Sequence, residues 1–168
     1  MKLKDRVVRL QRMPARDLIP NPRNWRTHPD KQQDALRGIL AEVGIAGALL
    51  ARETPDGMML IDGHLRADTD PDTEWPVLVL DVNEAEADLL LATVDPIADM
   101  AEPDPARLDA LLREIDTSSE ALQAMLAELA EDAGIIPPDA PENFPEVDEN
   151  IDTEHQCPKC GYQWSGGK

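Results

Sequence analysis

The chain is poor in aromatics. Its 168 residues include three tryptophans, one tyrosine and one phenylalanine. A core must therefore be assembled from Leu, Ile, Val, Ala and Met. Cysteine is scarcer still: Cys157 and Cys160 are the only two. That number excludes a disulfide framework and makes a reducing cytoplasm the expected compartment. Long apolar runs are missing as well. The stretch around residues 45–51 is far shorter than the ~20 residues a membrane helix needs, so no membrane partner is expected. The opening residues, Met-Lys-Leu-Lys-Asp-Arg, lack the apolar run of a signal peptide.

Basic residues are few, and they are unevenly spread. The formal charge is −18. Residues 1–52 nevertheless hold 11 Lys/Arg against 5 Asp/Glu, a net of +6, and the remainder carries −24. Such a balance excludes non-specific coating of DNA, which needs a large basic surface. It leaves room for a phosphate-bearing ligand, or for DNA contacted through the basic N-terminal third.

Local patterns predict an α+β order of elements. Val7, Val8 and Leu10 read as a strand, and Leu18-Ile19 returns the chain to the core. Pro20, Asn21, Pro22 and Asn24 impose a turn-rich loop that carries Arg23, Trp25, Arg26 and His28. Leu36, Ile39, Leu40 and Val43 then recur at helical spacing, with Gly44 as a stop. Residues 46–61 read as a hairpin turning at Thr54-Pro55-Asp56-Gly57. A short helix is expected from His64 to Asp68, a buried strand over Val77–Leu80 and a helix from Glu84 to about Thr93. Two more helices, over 104–116 and 118–132, read as a helical hairpin whose Leu/Met stripe suits a core or a homodimer face. With two Arg and no Lys over residues 97–134, a DNA-reading helix is not expected there.

The order of these pieces carries a resemblance. Leu18-Ile19-Pro20-Asn21-Pro22-Arg23-Asn24-Trp25-Arg26, an amphipathic helix, a hairpin, Asp62-Gly63-His64-Leu65-Arg66-Ala67, Trp75-Pro76-Val77-Leu78-Val79 and the acidic helix start at Asp81–Glu86 follow one another. Together they resemble the N-terminal domain of the ParB/sulfiredoxin superfamily over residues 5–96. Asn24-Trp25-Arg26-Thr27-His28-Pro29 is similar to short ParB-like proteins of phages and prophages. The resemblance implies a small mixed sheet with flanking helices, and a turn that cradles nucleotide phosphates at Gly63, His64 and Arg66. There a glycine admits the backbone, helix N–H groups face the anion and an arginine adds charge. Arg26 or Arg23 matches the family's loop arginine. CTP, ATP or ADP with Mg²⁺ is the implied ligand, and DNA modification, packaging or a partition-like role in phage or prophage the implied setting. A DNA methyltransferase or another phage protein is the implied partner.

This turn differs from the family's "Gly-Glu-Arg-Arg" type: His64 replaces the Glu and Leu65 the first Arg. Thr93-Val94-Asp95-Pro96 stands where ParB proteins carry Glu-Asn-x-x-Arg. Sulfiredoxin-type thiol chemistry is excluded, since the region contains no cysteine. A metal-dependent phosphotransferase or nuclease would draw on Asp62 and His64 as catalytic residues. A non-enzymatic protein adaptor is the third option. Each feature also has a plainer reading. Asp62 could simply cap a helix, and Trp25 could plug the core rather than stack on a base.

Residues 97–134 form a helical appendage in this scheme, and 135–154 an acidic, proline-rich linker. Residues 155–168 form a tail similar to one knuckle of a zinc ribbon. Cys157 and Cys160 supply half of a Zn²⁺ site. His155 could add a third ligand, a second chain could add two more, or the pair could be redox-active or metal-free.

Overall fold

The computed structural model describes residues 2–135 and 155–164. The expected linker over 135–154 therefore lies, apart from Ile135, outside the described residues. Residues 2–135 belong to one compact unit and residues 155–164 to a second. No helix among the described residues is long and apolar enough to cross a membrane.

Four strands make the sheet of the first unit: β1 (Val7–Pro14), β2 (Leu49–Thr54), β3 (Gly57–Asp62) and β4 (Glu74–Leu80). Their order is β1-β4-β2-β3. β4 runs antiparallel to β1 and parallel to β2, and β3 is antiparallel to β2, so the sheet is mixed. Alternation along β4 places Trp75, Val77 and Val79 on the buried face, beside Leu49 and Ala51 of β2. The turn expected at 54–57 closes the β2–β3 hairpin. Val7, Val8 and Leu10 do form a strand, yet all three are exposed, because β1 is an edge strand bonded only to β4.

Helix α1 (Asp30–Glu42) ends where Gly44 adopts φ +88°. Its predicted apolar stripe is only partly used. Ala35 is the buried residue and Leu40 packs on the core, while Ile39 and Val43 stay exposed. Helix α2 (His64–Thr69) follows β3 directly. Ala67 of α2, Ala15, Leu18 and Leu60 complete the core around Trp75. Trp75 spans this core, and its indole N–H donates to the Asp70 carbonyl at 2.9 Å.

Helix α3 covers Glu84–Asp99. Asn83 and Glu86 form a reciprocal capping box at its start. The sequence reading ended this helix at about Thr93, and the structure corrects that. Pro96 removes one backbone donor, yet the helix runs on to Asp99, and Leu90, Leu91, Val94 and Ala98 share one of its faces across the proline. The boundary expected at 96/97 consequently falls inside α3. Helix α4 (Pro105–Leu112) is capped by Asp104 and helix α5 (Glu120–Asp132) by Ser119. These two touch each other only lightly, and α5 packs chiefly on α1. Gly38 permits that approach, since a Cβ there would lie 2.4 Å from Ser119 Oγ. The Glu42 carboxylate accepts from the Thr117 and Ser118 hydroxyls and from the Ser118 and Ser119 amides, tying α5 to the end of α1.

Candidate functional site

The loop from Pro20 to Pro29 is pinned at its start. Ile19 donates to the Met58 carbonyl at 2.7 Å and accepts from the Leu60 amide at 2.9 Å, as an extra rung on β3. The loop therefore leaves beside the C-terminal end of β3, where Asp62-Gly63-His64 turns into α2. His64 ties the two pieces together. Its Nε2 accepts the backbone N–H of Asn21 at 3.2 Å, and both residues are buried. An accepting Nε2 leaves the proton of the neutral ring on Nδ1. Burial holds the His64 pKa below the ordinary imidazole value, against the pull of Asp68 and Asp62. Asn21 Oδ1 in turn accepts the Arg23 amide at 2.9 Å.

Gly63 sits at φ +95°, a left-handed conformation that a side chain would strain. A Cβ there would also lie 2.5 Å from Leu49 Cδ2 and 3.1 Å from an Arg66 guanidinium nitrogen. One at Gly47 would lie 3.0 Å from Arg66 Nη1. Two bare backbone positions thus make room for the Arg66 guanidinium. Its Nη2 donates to Asp62 Oδ2 at 3.0 Å. The simple capping role for Asp62 is corrected: no side chain caps α2, and the carboxylate faces Arg66 instead.

Arg26 comes from the loop and meets α3. Its Nη1 lies 2.6 Å from Asp95 Oδ2, while its Nε is buried without a partner. The guanidinium also lies 5.1 Å from the centroid of the Trp25 ring. Trp25 is 59% exposed, which removes the core-plug reading for it. Trp75 fills the core instead.

Arg26, Asp62, Gly63, His64 and Arg66 line one cleft of about 320 Å³, together with Asn24, His28, Asp95 and Asp99. Five of the six residues singled out for catalysis or phosphate binding are therefore brought together. Arg23 is the exception: it lies outside the cleft wall and pairs with Asp88 of α3. Sequence reasoning missed Asn21, Gly47, Asp95 and Asp99. Asp95 had been read only for the motif it does not match. Its signal was the spacing of Leu91, Val94, Asp95, Ala98 and Asp99, which continues one helix face past Pro96.

A larger hollow of about 1,020 Å³ lies between α1 and α5. Leu36, Ile39, Leu122 and Met125 line it, and none of the expected site residues reaches it.

The charge asymmetry of the sequence is resolved by folding. Arg6, Arg9, Arg16, Arg23, Arg26 and Lys31 each pair with an acid from beyond residue 52, and Arg37 pairs with Asp34. Among the described residues, Lys2, Lys4, Arg12 and Arg52 are the remaining basic residues of this segment, outside any ion pair.

In the second unit, β5 (His155–Gln156) pairs with β6 (Gln163–Trp164). Cys157 and Cys160 lie in the turn between them, both as free thiols. The Lys159 and Cys160 amides and the Cys160 thiol bond to the Cys157 sulfur and push its pKa down. The His155 ring lies against Trp164, with centroids 5.6 Å apart. No three His, Cys, Asp or Glu side chains gather into a metal-binding group among the described residues. His155 is thus not assembled with the two cysteines as a third ligand, nor are Asp62 and His64 joined by a third ligand in the cleft.

No protein-family model matches the sequence, and no curated protein matches it either. The chain is similar to the solved structure of the C-terminally truncated chromosome-partitioning protein ParB from Caulobacter crescentus complexed with CTP-gamma-S. That match has 17% identity, a TM-score of 0.49, and covers 74% of this chain and 88% of the other. It is also similar to the same protein complexed to the centromeric parS site, at 16% identity and a TM-score of 0.43, covering 74% of this chain and 68% of the other.

Proposed function

We propose that the cleft at residues 62–66 binds the phosphates of a nucleotide, and that the protein is a ParB-like accessory factor in phage or prophage DNA metabolism. The observation that supports this most is the placing of Arg26 and Arg66 in the wall of one cleft, around a glycine turn that admits close approach. A guanidinium has five N–H donors in a fixed fork. Each of these two makes a single side-chain ion pair to its aspartate, through one nitrogen. Each keeps a further terminal nitrogen for phosphate oxygens. A cleft of about 320 Å³ is within the range of small-ligand sites. The exposed Trp25 ring beside Arg26 suits a base.

The carboxylates dictate a condition. Asp62, Asp95 and Asp99 outnumber the two arginines in the cleft wall. A bare polyphosphate would meet net negative charge. Mg²⁺, which is commonly held by one or two carboxylates plus substrate phosphates, removes that conflict. Binding should therefore require the cation. The setting in DNA modification, packaging or partition comes from the sequence resemblance. Any DNA contact through the N-terminal third falls to the few basic residues outside ion pairs.

Calorimetric titration with CTP, ATP and ADP, with and without Mg²⁺, tests the reading. At least one nucleotide should bind in the presence of Mg²⁺. Arg66→Ala and Arg26→Ala should each weaken it more than ~10-fold, the equivalent of about 1.4 kcal/mol. Arg23→Ala, outside the cleft, should leave affinity unchanged. Absence of binding by all three nucleotides, or an Arg66→Ala variant that binds normally, would sink the assignment.

A further inference from the structure

We propose that the hollow between α1 and α5 is a docking groove for an amphipathic helix of another protein, one whose apolar face is edged with Lys or Arg. The hollow arises from how the two helices meet. Their close approach is made at Gly38, against Ser119 and Leu122, and Lys31 and Glu128 tie them further along at 2.9 Å. The pair buries few side chains: Ala35 on α1, and Leu122 and Ala130 on α5. Larger apolar side chains are left lining the hollow of about 1,020 Å³. Ile39, Val43, Ile115 and Met125 are among them, and each is at least 40% exposed. Contiguous exposed apolar surface of this kind marks an interaction site.

The backbone of the walls selects the form of the occupant. The long walls are helices, whose N–H and C=O groups bond within themselves, so no sheet edge is offered to an incoming strand. An occupant must satisfy its own backbone bonds. A helix does so, and it anchors in an apolar groove through side chains at i, i+3, i+4 and i+7.

Charge selects its sign. The carboxylates of Asp34, Glu42, Asp116 and Glu128 line the hollow, against the single ammonium of Lys31. Lys31 answers Glu128, and Arg37 answers Asp34. Among the described residues, Glu42 and Asp116 join no ion pair. The hydrogen bonds that Glu42 accepts from residues 117–119 all end on Oε1, so Oε2 is left to an incoming cation. These two acids adjoin Val43 and Ile115 in the chain, so apolar anchors and unmatched negative charge share one end of the groove. A second copy of this chain is a poor fit, because a two-fold contact sets the same acids against each other on chains of net charge −18.

The test uses the full chain and three fluorescein-labelled peptides about as long as α5. The first has Leu at i, i+3, i+4 and i+7 and Lys elsewhere. The second has Glu for each Lys. The third holds the same Leu and Lys in an order without an apolar face. By fluorescence anisotropy at about 0.15 M salt, the first should bind saturably, one per chain, and the other two at least 10-fold more weakly. Met125→Glu should weaken the first peptide at least 10-fold. It also makes the chain more negative, so a general attraction for lysines would change in the opposite direction. Asp116→Lys should weaken binding about 3-fold, the size of one exposed ion pair. Asp116 is an exposed loop residue, so this variant decides the matter if urea unfolding shows that Met125→Glu has disrupted α5. Equal binding of the three peptides, no binding of the first, or undiminished binding by a folded variant would each overturn the proposal. So would a dimer seen by light scattering that Met125→Glu dissolves, since the occupant would then be a second copy.

Discussion

The cleft and the cysteine hairpin both hold polar groups close together, but they do so by opposite means. Around the cleft, the glycine turn and the start of the loop are carried by packed structure. Ile19 is stitched to β3, His64 to Asn21, and the sheet beneath rests on Trp75, Leu49 and Val77, none more than 1% exposed. In the hairpin the geometry comes from a few backbone hydrogen bonds and one left-handed glycine. Preorganisation in the first case is bought with burial, and a ligand can arrive late. In the second it rests on the turn alone.

The largest effect that would expose this difference comes from Trp75→Ala. Removing a buried aromatic of this kind costs about 3–5 kcal/mol, and the change also leaves the Asp70 carbonyl without its indole donor. Urea denaturation of the first unit should show a loss of that size. The reactivity of the Cys157 and Cys160 thiols toward a thiol reagent should stay unchanged. If it changed together with the stability, the hairpin would depend on the sheet for its order.

How far each region was legible in the sequence follows the same division. The β2–β3 turn announces itself in Thr54-Pro55-Asp56-Gly57, and the Cys157–Cys160 spacing is local too. Signals confined to a few consecutive residues survive into the structure. The cleft depends on pairings that local patterns do not encode. Nothing near Arg26 predicts that Asp95, many residues later, will hold it at 2.6 Å. Pro96 hid that contact further by suggesting that α3 stops early. In the same way, the stripe of Leu36, Ile39, Leu40 and Val43 identifies a helix without revealing that Ala35 and Leu40 face the core. Which part of an apolar stripe is buried is decided by the neighbour, here the sheet on one side and α5 on the other.

A smaller and more local test is Gly63→Ala. The left-handed backbone there costs a side-chain-bearing residue about 1–2 kcal/mol. Crowding of Leu49, whose Cδ2 would lie 2.5 Å away, adds about 1–3 kcal/mol. Denaturant midpoints should fall by less than in Trp75→Ala. Nucleotide affinity should fall too, because the displaced turn moves Asp62 and Arg66 together. Unchanged affinity in a destabilised Gly63→Ala protein would mean that the turn supports the fold without shaping the phosphate site.

The mildest effect should come from pH, acting through His64. Burial places its folded pKa below the unfolded value of about 6.5. The unfolded chain therefore binds the proton more readily than the folded one. The sign follows: the stability that the neutral ring contributes is present above pH ~6.5 and is lost as pH falls through 6.5 toward the folded pKa. Protonation would also turn Nε2 from an acceptor into a donor facing the Asn21 amide, releasing the loop that carries Arg26. Urea midpoints measured from pH 7.5 down to 5.5 should decline in the wild-type chain. In His64→Gln, which can keep an acceptor near the same place but cannot titrate, that decline should be flatter. Equal slopes for the two proteins would assign the acid sensitivity to other groups and leave His64 as a latch that pH does not open.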